Sequence, residues 1–369
     1  GGSIAAAGER DGMGVGITVK SDQIAPAMDI LADVATAPAF APEELERARA
    51  QAIDGVTVQL KSPPQLAALV AGRAVFGDGP YAAPLTGTPA SLKAITRDDI
   101  LSTYNRSWQV ANTVLVIVGD VTAAQAKQLA EARLGRWRQE SAPGRAVETT
   151  PAVTRPRVIV VDMPDASQAG VVVARPGIAR SDDRYYPLAV ANTVLGGGFS
   201  SRLNQEIRIK RGLAYGASSG VQARRRPGAI SAQTQTKNAT AAEAAELIVA
   251  EMKRIGTAPI PAEELATRKA VLVGGFGRTV ETTDGVADLL GDYLVQSVPL
   301  GEFGRYTASV EAVTPEAAQA AAAALLDPAA ANVIVVGDAR QFLPKLKAAY
   351  PQVEVIPEAQ LKLDTPALR

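Results

Sequence analysis

Hydrophobic positions along the chain fall into short alternating runs and into longer stretches with a period of three to four. Val15, Ile17 and Val19 alternate with Gly16 and Thr18, which predicts a half-buried strand. Ser21 or Asp22 is then placed to cap a helix whose Ile24, Met28, Leu31 and Val34 share one face. After Pro42, a longer helix is predicted with Leu45, Ala48, Ala52 and Ile53 turned inward, ending before Pro63-Pro64. Residues 113–118 form an apolar run of strand length, and Thr122 caps a helix that closes at Gly135. Farther on, residues 158–161 and 171–173 read as strands and 183–195 as a helix.

This order is written twice, about 220 residues apart. Thr36-Ala37-Pro38 leads to Glu43-Glu44-Leu45, and Thr257-Ala258-Pro259 leads to Glu263-Glu264-Leu265. Thr96 before an acidic helix start matches Thr314, and Ala111-Asn112 through Val118-Gly119-Asp120 matches Ala331-Asn332 through Val336-Gly337-Asp338. Three such pairs in one register point to duplication. Residues 140–156, rich in Pro and without hydrophobic period, read as a linker between a first domain, 1–139, and a second, 157–369. The expected fold class is α+β, with two homologous domains, each a mixed sheet with packed helices. The second copy opens with two strands and a helix that have no match in the first. Subtracting the offset places their counterparts roughly 60 residues before Gly1, so the first domain is expected to lack its N-terminal part.

Composition narrows the chemistry. At 369 residues the chain is long enough for two cores, and 38 basic side chains balance 38 acidic ones, which argues against a nucleic-acid partner. Apolar runs stay short of the roughly 20 residues a bilayer span needs, and Gly1-Gly2-Ser3 lacks signal-peptide character, so no membrane span is expected and the chain as given reads as soluble. The sequence has no Cys and no His. That removes a disulfide framework, a thiolate nucleophile, a Ser-His-Asp triad and any ordinary catalytic zinc site built from this chain alone.

The most distinctive stretch runs Leu195-Gly196-Gly197-Gly198-Phe199-Ser200-Ser201-Arg202-Leu203 and on through Arg208 and Arg211-Gly212 to Tyr215. Three glycines end one helix, Ser200 or Ser201 is placed to cap the next, and Arg211-Gly212 ends that one before a strand. A phosphate loop is the tempting alternative, but no Gly-Lys-Ser/Thr follows. Glu43-Glu44 and Glu263-Glu264 are carboxylates in helix first turns, where the dipole favours them without catalysis. Arg224-Arg225-Arg226-Pro227-Gly228 reads most simply as a charged hairpin turn, with contact to an acidic peptide as the alternative.

The 195–215 stretch resembles the second-domain signature of the pitrilysin/insulinase family of zinc metallopeptidases, which includes mitochondrial processing peptidase and paired bacterial subunits. Phe76-Gly77, Pro80-Tyr81, Gly87-Thr88, Ile95 through Asp99, Tyr104 and Val118-Gly119-Asp120 follow the family's order in the first domain. The resemblance implies a catalytic half carrying His-x-x-Glu-His, with a further Glu about 75 residues on. The zinc motif would lie in the segment missing from the first copy. The third-ligand position falls near Asp54 and Gly55, of which Gly55 has no side chain and Asp54 has an ordinary solvent-facing role open to it. The resemblance therefore implies the non-catalytic subunit of a heteromeric peptidase, with no cofactor or metal in this chain and zinc in a paralogous partner whose metal activates water. Arg208 and Tyr215 then reach toward an extended peptide substrate at the partner's zinc and stabilise its scissile carbonyl. Taken alone, Arg208 also suits a solvated helix position and Tyr215 a half-buried strand aromatic. A structural subunit of a larger assembly, or an active peptidase whose zinc segment lies outside this chain, are the competing expectations. Resemblance to the bacterial pairs implies a periplasmic location.

Overall fold

Residues 1–137 and 155–369 are described by the computed structural model of the chain; the expected linker at 140–156 lies almost wholly outside them. The chain opens with β1 (Gly2–Gly8) and β2 (Met13–Val19), an antiparallel hairpin. A 3₁₀ turn at Ser21–Gln23 leads into α1 (Ile24–Thr36), whose first residue is preceded by Gln23 without any side-chain cap, so neither Ser21 nor Asp22 caps it. Met28 and Leu31 are buried as the helical period predicts, whereas Val34 is exposed. Helix α2 (Pro42–Leu60) has Glu43 and Glu44 in its first turn, and its expected inward stripe is weaker than predicted, with Ala48 exposed and Val56 fully buried. The two prolines that stop α2 open α3 (Pro63–Phe76), where a missing N–H costs nothing. Helices α4 (Pro89–Ala94), α5 (Arg97–Ser107) and α6 (Ala123–Leu134) follow, with Thr96 and Thr122 each closing a capping box and Gly135 ending α6.

The second part of the chain runs through β3 (Val158–Asp162), β4 (Ala169–Pro176), α7 (Tyr185–Leu195), a π turn at Asn204–Lys210, β5 (Ala214–Val221) and β6 (Ala229–Thr236). It continues with α8 (Ala241–Thr257), α9 (Ala262–Thr279), α10 (Thr283–Val295), α11 (Glu302–Glu311), α12 (Pro315–Leu325), β7 (Asn332–Gly337), α13 (Leu343–Ala349) and β8 (Val353–Pro357). Six strands form a mixed sheet in the order β5-β6-β4-β7-β3-β8. Strands β7, β3 and β8 are parallel, while β4, β6 and β5 are antiparallel.

The central strands are apolar through successive middle residues, 158–161, 169–174 and 333–336, so both faces of this sheet need cover. On one face Val160, Val171, Val173, Val333 and Val335 pack with Leu188 and Val194 of α7, Ile248 and Met252 of α8 and Ala322 of α12. On the other, Ile159, Val161, Val172, Ile334 and Val336 pack with Leu66, Val70 and Phe76 of α3. The chain accordingly forms two compact units, neither of which is a continuous half. One comprises residues 1–54, 89–148 and 276–303; the other comprises 55–88, 149–275 and 304–369. Helix α3, which the sequence reading gave to the first domain, belongs to the unit with the six-stranded sheet because its apolar face covers that sheet.

Local structure repeats where the sequence does. A 3₁₀ turn at Val110–Asn112 precedes residues 113–118 just as one at Pro328–Ala330 precedes β7, and Thr314 caps α12 as Thr96 caps α5. Residues 113–118, however, form no strand, contrary to expectation. Their equivalent, β7, is ladder-paired on both sides by β4 and β3, and those two strands have no counterparts in residues 1–137. A strand needs a neighbour to hydrogen-bond, and this apolar run has none among the described residues, leaving Val114 exposed.

Helix α3 crosses β4 so closely that a Cβ built on Gly170 would lie 2.5 Å from Pro64 Cα. Gly170→Ala should lower unfolding free energy by about 2–3 kcal/mol through overpacking, measured by urea denaturation. Asp338, at the end of β7, accepts hydrogen bonds from Arg340 and then Gln341, which hold its carboxyl down to about 2. Because the folded-state value lies below the unfolded one, this stabilisation is complete above about pH 4 and drains away as pH falls toward 2. Denaturation midpoints measured between pH 5 and 2 should fall less steeply for Asp338→Asn than for the parent.

Candidate functional site

The candidate site is built where α7 gives way, through residues 196–203, to the π turn and β5. Gly196 and Gly197 are required by packing. A Cβ at 196 would overlap the Ser219 backbone nitrogen on β5, and one at 197 would lie 2.6 Å from Thr193 Cα. Gly198 faces open space. The glycine run therefore serves close approach of a helix end to a strand, which accounts for it without a phosphate.

Three side chains fix this loop. Asn204 donates through Nδ2 to the carbonyls of Gly198 at 3.0 Å and Ala217 at 2.7 Å, and its Oδ1 accepts from the Ala217 N–H at 3.1 Å. Arg268 of α9 donates from Nη1 to Ser200 Oγ at 2.8 Å and from Nη2 to the Ser200 carbonyl. Glu264, one turn earlier on α9, receives Arg202 in a two-pronged ion pair, 2.7 Å at its closer contact. Ser200 thus serves as an anchor for α9, and neither it nor Ser201 caps the following turn, which is preceded by Leu203 with no side-chain cap. Leu203 and Ile207 are fully buried and seat the π turn on the core.

The π turn sorts its charges. Glu206 accepts from Lys210, four residues on, and from Arg211 Nη1, five residues on, at 2.5 Å. Those hydrogen bonds, Lys210 first, hold the Glu206 carboxyl below its usual range. Arg208, two residues from Glu206, faces elsewhere. Its guanidinium lies over the Phe199 ring, 4.1 Å from the centroid, and among the described residues no hydrogen bond or ion pair engages it. Five N–H donors are left available.

Gly212, with φ of 61°, turns the chain into β5, the edge of the sheet. Between Ala214 and Ala217 the register with β6 shifts in a bulge containing Tyr215 and Gly216. Thr236 Oγ1 donates to the Leu213 carbonyl at 2.6 Å and Thr234 Oγ1 to the Gly216 carbonyl at 2.7 Å, so the bulge leaves those two oxygens satisfied. Bulges re-aim side chains. Tyr215 is 92% exposed, not half-buried, and its hydroxyl has no partner among the described residues. Arg208 and Tyr215 are therefore presented from one fixed frame, each with unused donors.

The other candidates fall elsewhere. Asp54 and Gly55 are exposed on α2, and among the described residues no group of three His, Cys, Asp or Glu side chains is placed to hold a metal ion. The donor set does not fit the family's zinc. Residues 224–228 connect β5 to β6 as a hairpin turn, with the Arg224 guanidinium 5.9 Å from the Tyr81 ring centroid.

Comparison with known proteins gives this frame a family. Residues 1–89 match the family described as Insulinase (Peptidase family M16), and residues 94–272 match the Peptidase M16 inactive domain. The chain belongs to the M16 family. Over 269 residues it is 29% identical to an uncharacterized zinc protease of Mycobacterium leprae, covering 72% of this chain and 60% of that protein. Over 273 residues it is 25% identical to a non-peptidase homolog of Helicobacter pylori, covering 73% and 62%. The solved peptidase M16 inactive domain of Pseudomonas fluorescens superposes with a TM-score of 0.83 at 25% identity, covering 91% of this chain and 81% of that one. This M16 chain thus spans about three fifths of the length of those two sequence relatives. It holds no His, so the family's His-x-x-Glu-His is not within these residues.

Arg208 and Tyr215 were legible through the family motif. Phe199, Asn204 and Arg268 were not singled out. Phe199 left one signal, an isolated large aromatic in a Gly/Ser turn with no apolar periodicity to bury it. Asn204 and Arg268 act across the fold and left none. Asn204→Ala would strand the buried Ala217 N–H, so stability should fall by about 2 kcal/mol and amide exchange at Ala217 should quicken, as measured by hydrogen–deuterium exchange.

Proposed function

We propose that this chain is the non-catalytic member of a heteromeric M16 peptidase, binding an extended peptide and completing the active site of a zinc-bearing paralogous subunit. The observation that carries this reading is the pair of unengaged donors, the Arg208 guanidinium and the Tyr215 hydroxyl, held on a rigid edge strand and the turn before it. The open edge of β5 can take a peptide as an added strand, with backbone hydrogen bonds giving affinity and neighbouring side chains giving choice. From there the guanidinium and the phenol donate to the scissile carbonyl as its oxygen gains charge. Both donors are placed before substrate arrives, so little reorganisation is needed at the moment of reaction. The lack of His and Cys and the match of residues 94–272 to the inactive domain support assigning hydrolysis to the partner.

The chain alone, supplied with zinc, should not cleave a pool of unstructured peptides, whereas its complex with a zinc-bearing paralogue should. In that complex Arg208→Ala should lower kcat on the order of a hundredfold, the loss typical of one removed oxyanion donor, and Tyr215→Phe should lower it as well. Unchanged kcat and KM in both variants would overturn the assigned roles. A stable complex without any cleavage would point to a structural subunit.

A further inference from the structure

We propose that Phe199 is a positioning residue for Arg208, holding its guanidinium by cation–π contact so that its N–H donors stay free for a peptide carbonyl. This rests on the peptide-binding role of Arg208 proposed above. The residue is unusual for its size and place: Phe199 is 64% exposed in a turn whose other members are Gly and Ser. Burial does not account for it. Its face is occupied by the Arg208 guanidinium, 4.1 Å from the ring centroid.

The backbone on either side of Phe199 is clamped. The Gly198 carbonyl accepts from Asn204, and Ser200 is held at both its carbonyl and its hydroxyl by Arg268. A ring on such a support is a fixed platform, while an Arg side chain on its own has many rotamers to lose. The kind of contact matters as much as its presence. A carboxylate would hold the guanidinium by consuming its N–H groups, as Glu206 does with Arg211 and Glu264 with Arg202. An aromatic face holds the cation through the ring quadrupole and leaves the N–H groups at the guanidinium edge unspent. Glu206, the nearest carboxylate in sequence, is already engaged by Lys210 and Arg211, so it does not compete for Arg208.

The test begins with the isolated full chain. In arginine ¹⁵N–¹H spectra, the Arg208 Nε–H signal, assigned by its loss in Arg208→Lys, should carry an upfield ring-current shift. That shift should vanish in Phe199→Leu and persist in Phe199→Tyr, with all variants keeping the parent Tm. In the complex with the zinc-bearing partner, using unstructured peptides blocked at both ends, Phe199→Leu should lower kcat/KM on the order of fivefold, the scale of an exposed cation–π contact, and Phe199→Tyr should restore it. In an Arg208→Ala background, Phe199→Leu should have no further effect. A missing ring-current shift, or an Arg208-dependent activity indifferent to Phe199→Leu, would overturn the positioning role and leave the peptide-binding reading intact. A normal shift with activity indifferent to Arg208→Ala would instead overturn the reading on which the proposal rests.

Discussion

The structure depends on a sheet that is apolar on both faces. Alternate residues of β3, β4 and β7 point into two separate clusters, one beneath α7, α8 and α12 and the other beneath α3. Leaving either face wet would expose a row of Val and Ile side chains, each worth roughly 1.5–3 kcal/mol when buried. The chain meets the second requirement with residues 63–76, drawn from far upstream, and the two compact units are for that reason not consecutive halves. Gly170 is the price of that cover, since α3 crosses β4 at a point where no side chain fits.

With six strands paired in one order, β5 is left at the edge, and the site grows from that position. The helix end at Gly196 packs against Ser219, and the bulge at Tyr215 and Gly216 turns one aromatic out of the sheet. Three buried or half-buried polar side chains, Asn204, Arg268 and Glu264, join loop, strand and α9. The result is a frame whose conformational cost is met on folding, leaving less to be lost when a ligand is ordered against it. Within this frame charge is partitioned. Glu206 engages Lys210 and Arg211, and Arg208 keeps its donors unspent.

The family relationship and the fold both support a non-catalytic M16 chain. These residues carry the M16 architecture without imidazole or thiolate, and the Arg208–Tyr215 pair offers hydrogen-bond donors, which is the chemistry the proposed peptide-positioning role draws on. Arg208, half-buried, and Tyr215, exposed, have no hydrogen-bond partner for their side chains among the described residues and add little to stability, and their presence on a fixed frame is what gives the proposed function its weight.

Local patterns were legible in the sequence because their causes are local. Alternation gave β2, short apolar runs gave β3 and β4, a period of three to four gave α1, Thr122 gave the cap of α6, and the offset of about 220 residues paired Thr96 with Thr314 and residues 113–118 with β7. The glycine-rich motif marked the candidate site, with Arg208 and Tyr215 as its candidate residues. Where a feature depends on a distant neighbour, the sequence was silent or misleading. Residues 113–118 have strand composition but no ladder partner among the described residues, α3 lies in sequence far before the sheet it covers, and Ser200 has the composition of a cap but anchors Arg268. The sequence by itself determined most of the helical and extended segments and which residues are candidates for chemistry, since those follow from side-chain period and type. The tertiary structure decided which faces are covered and which strand is the edge, since each of these is set by residues far away along the chain.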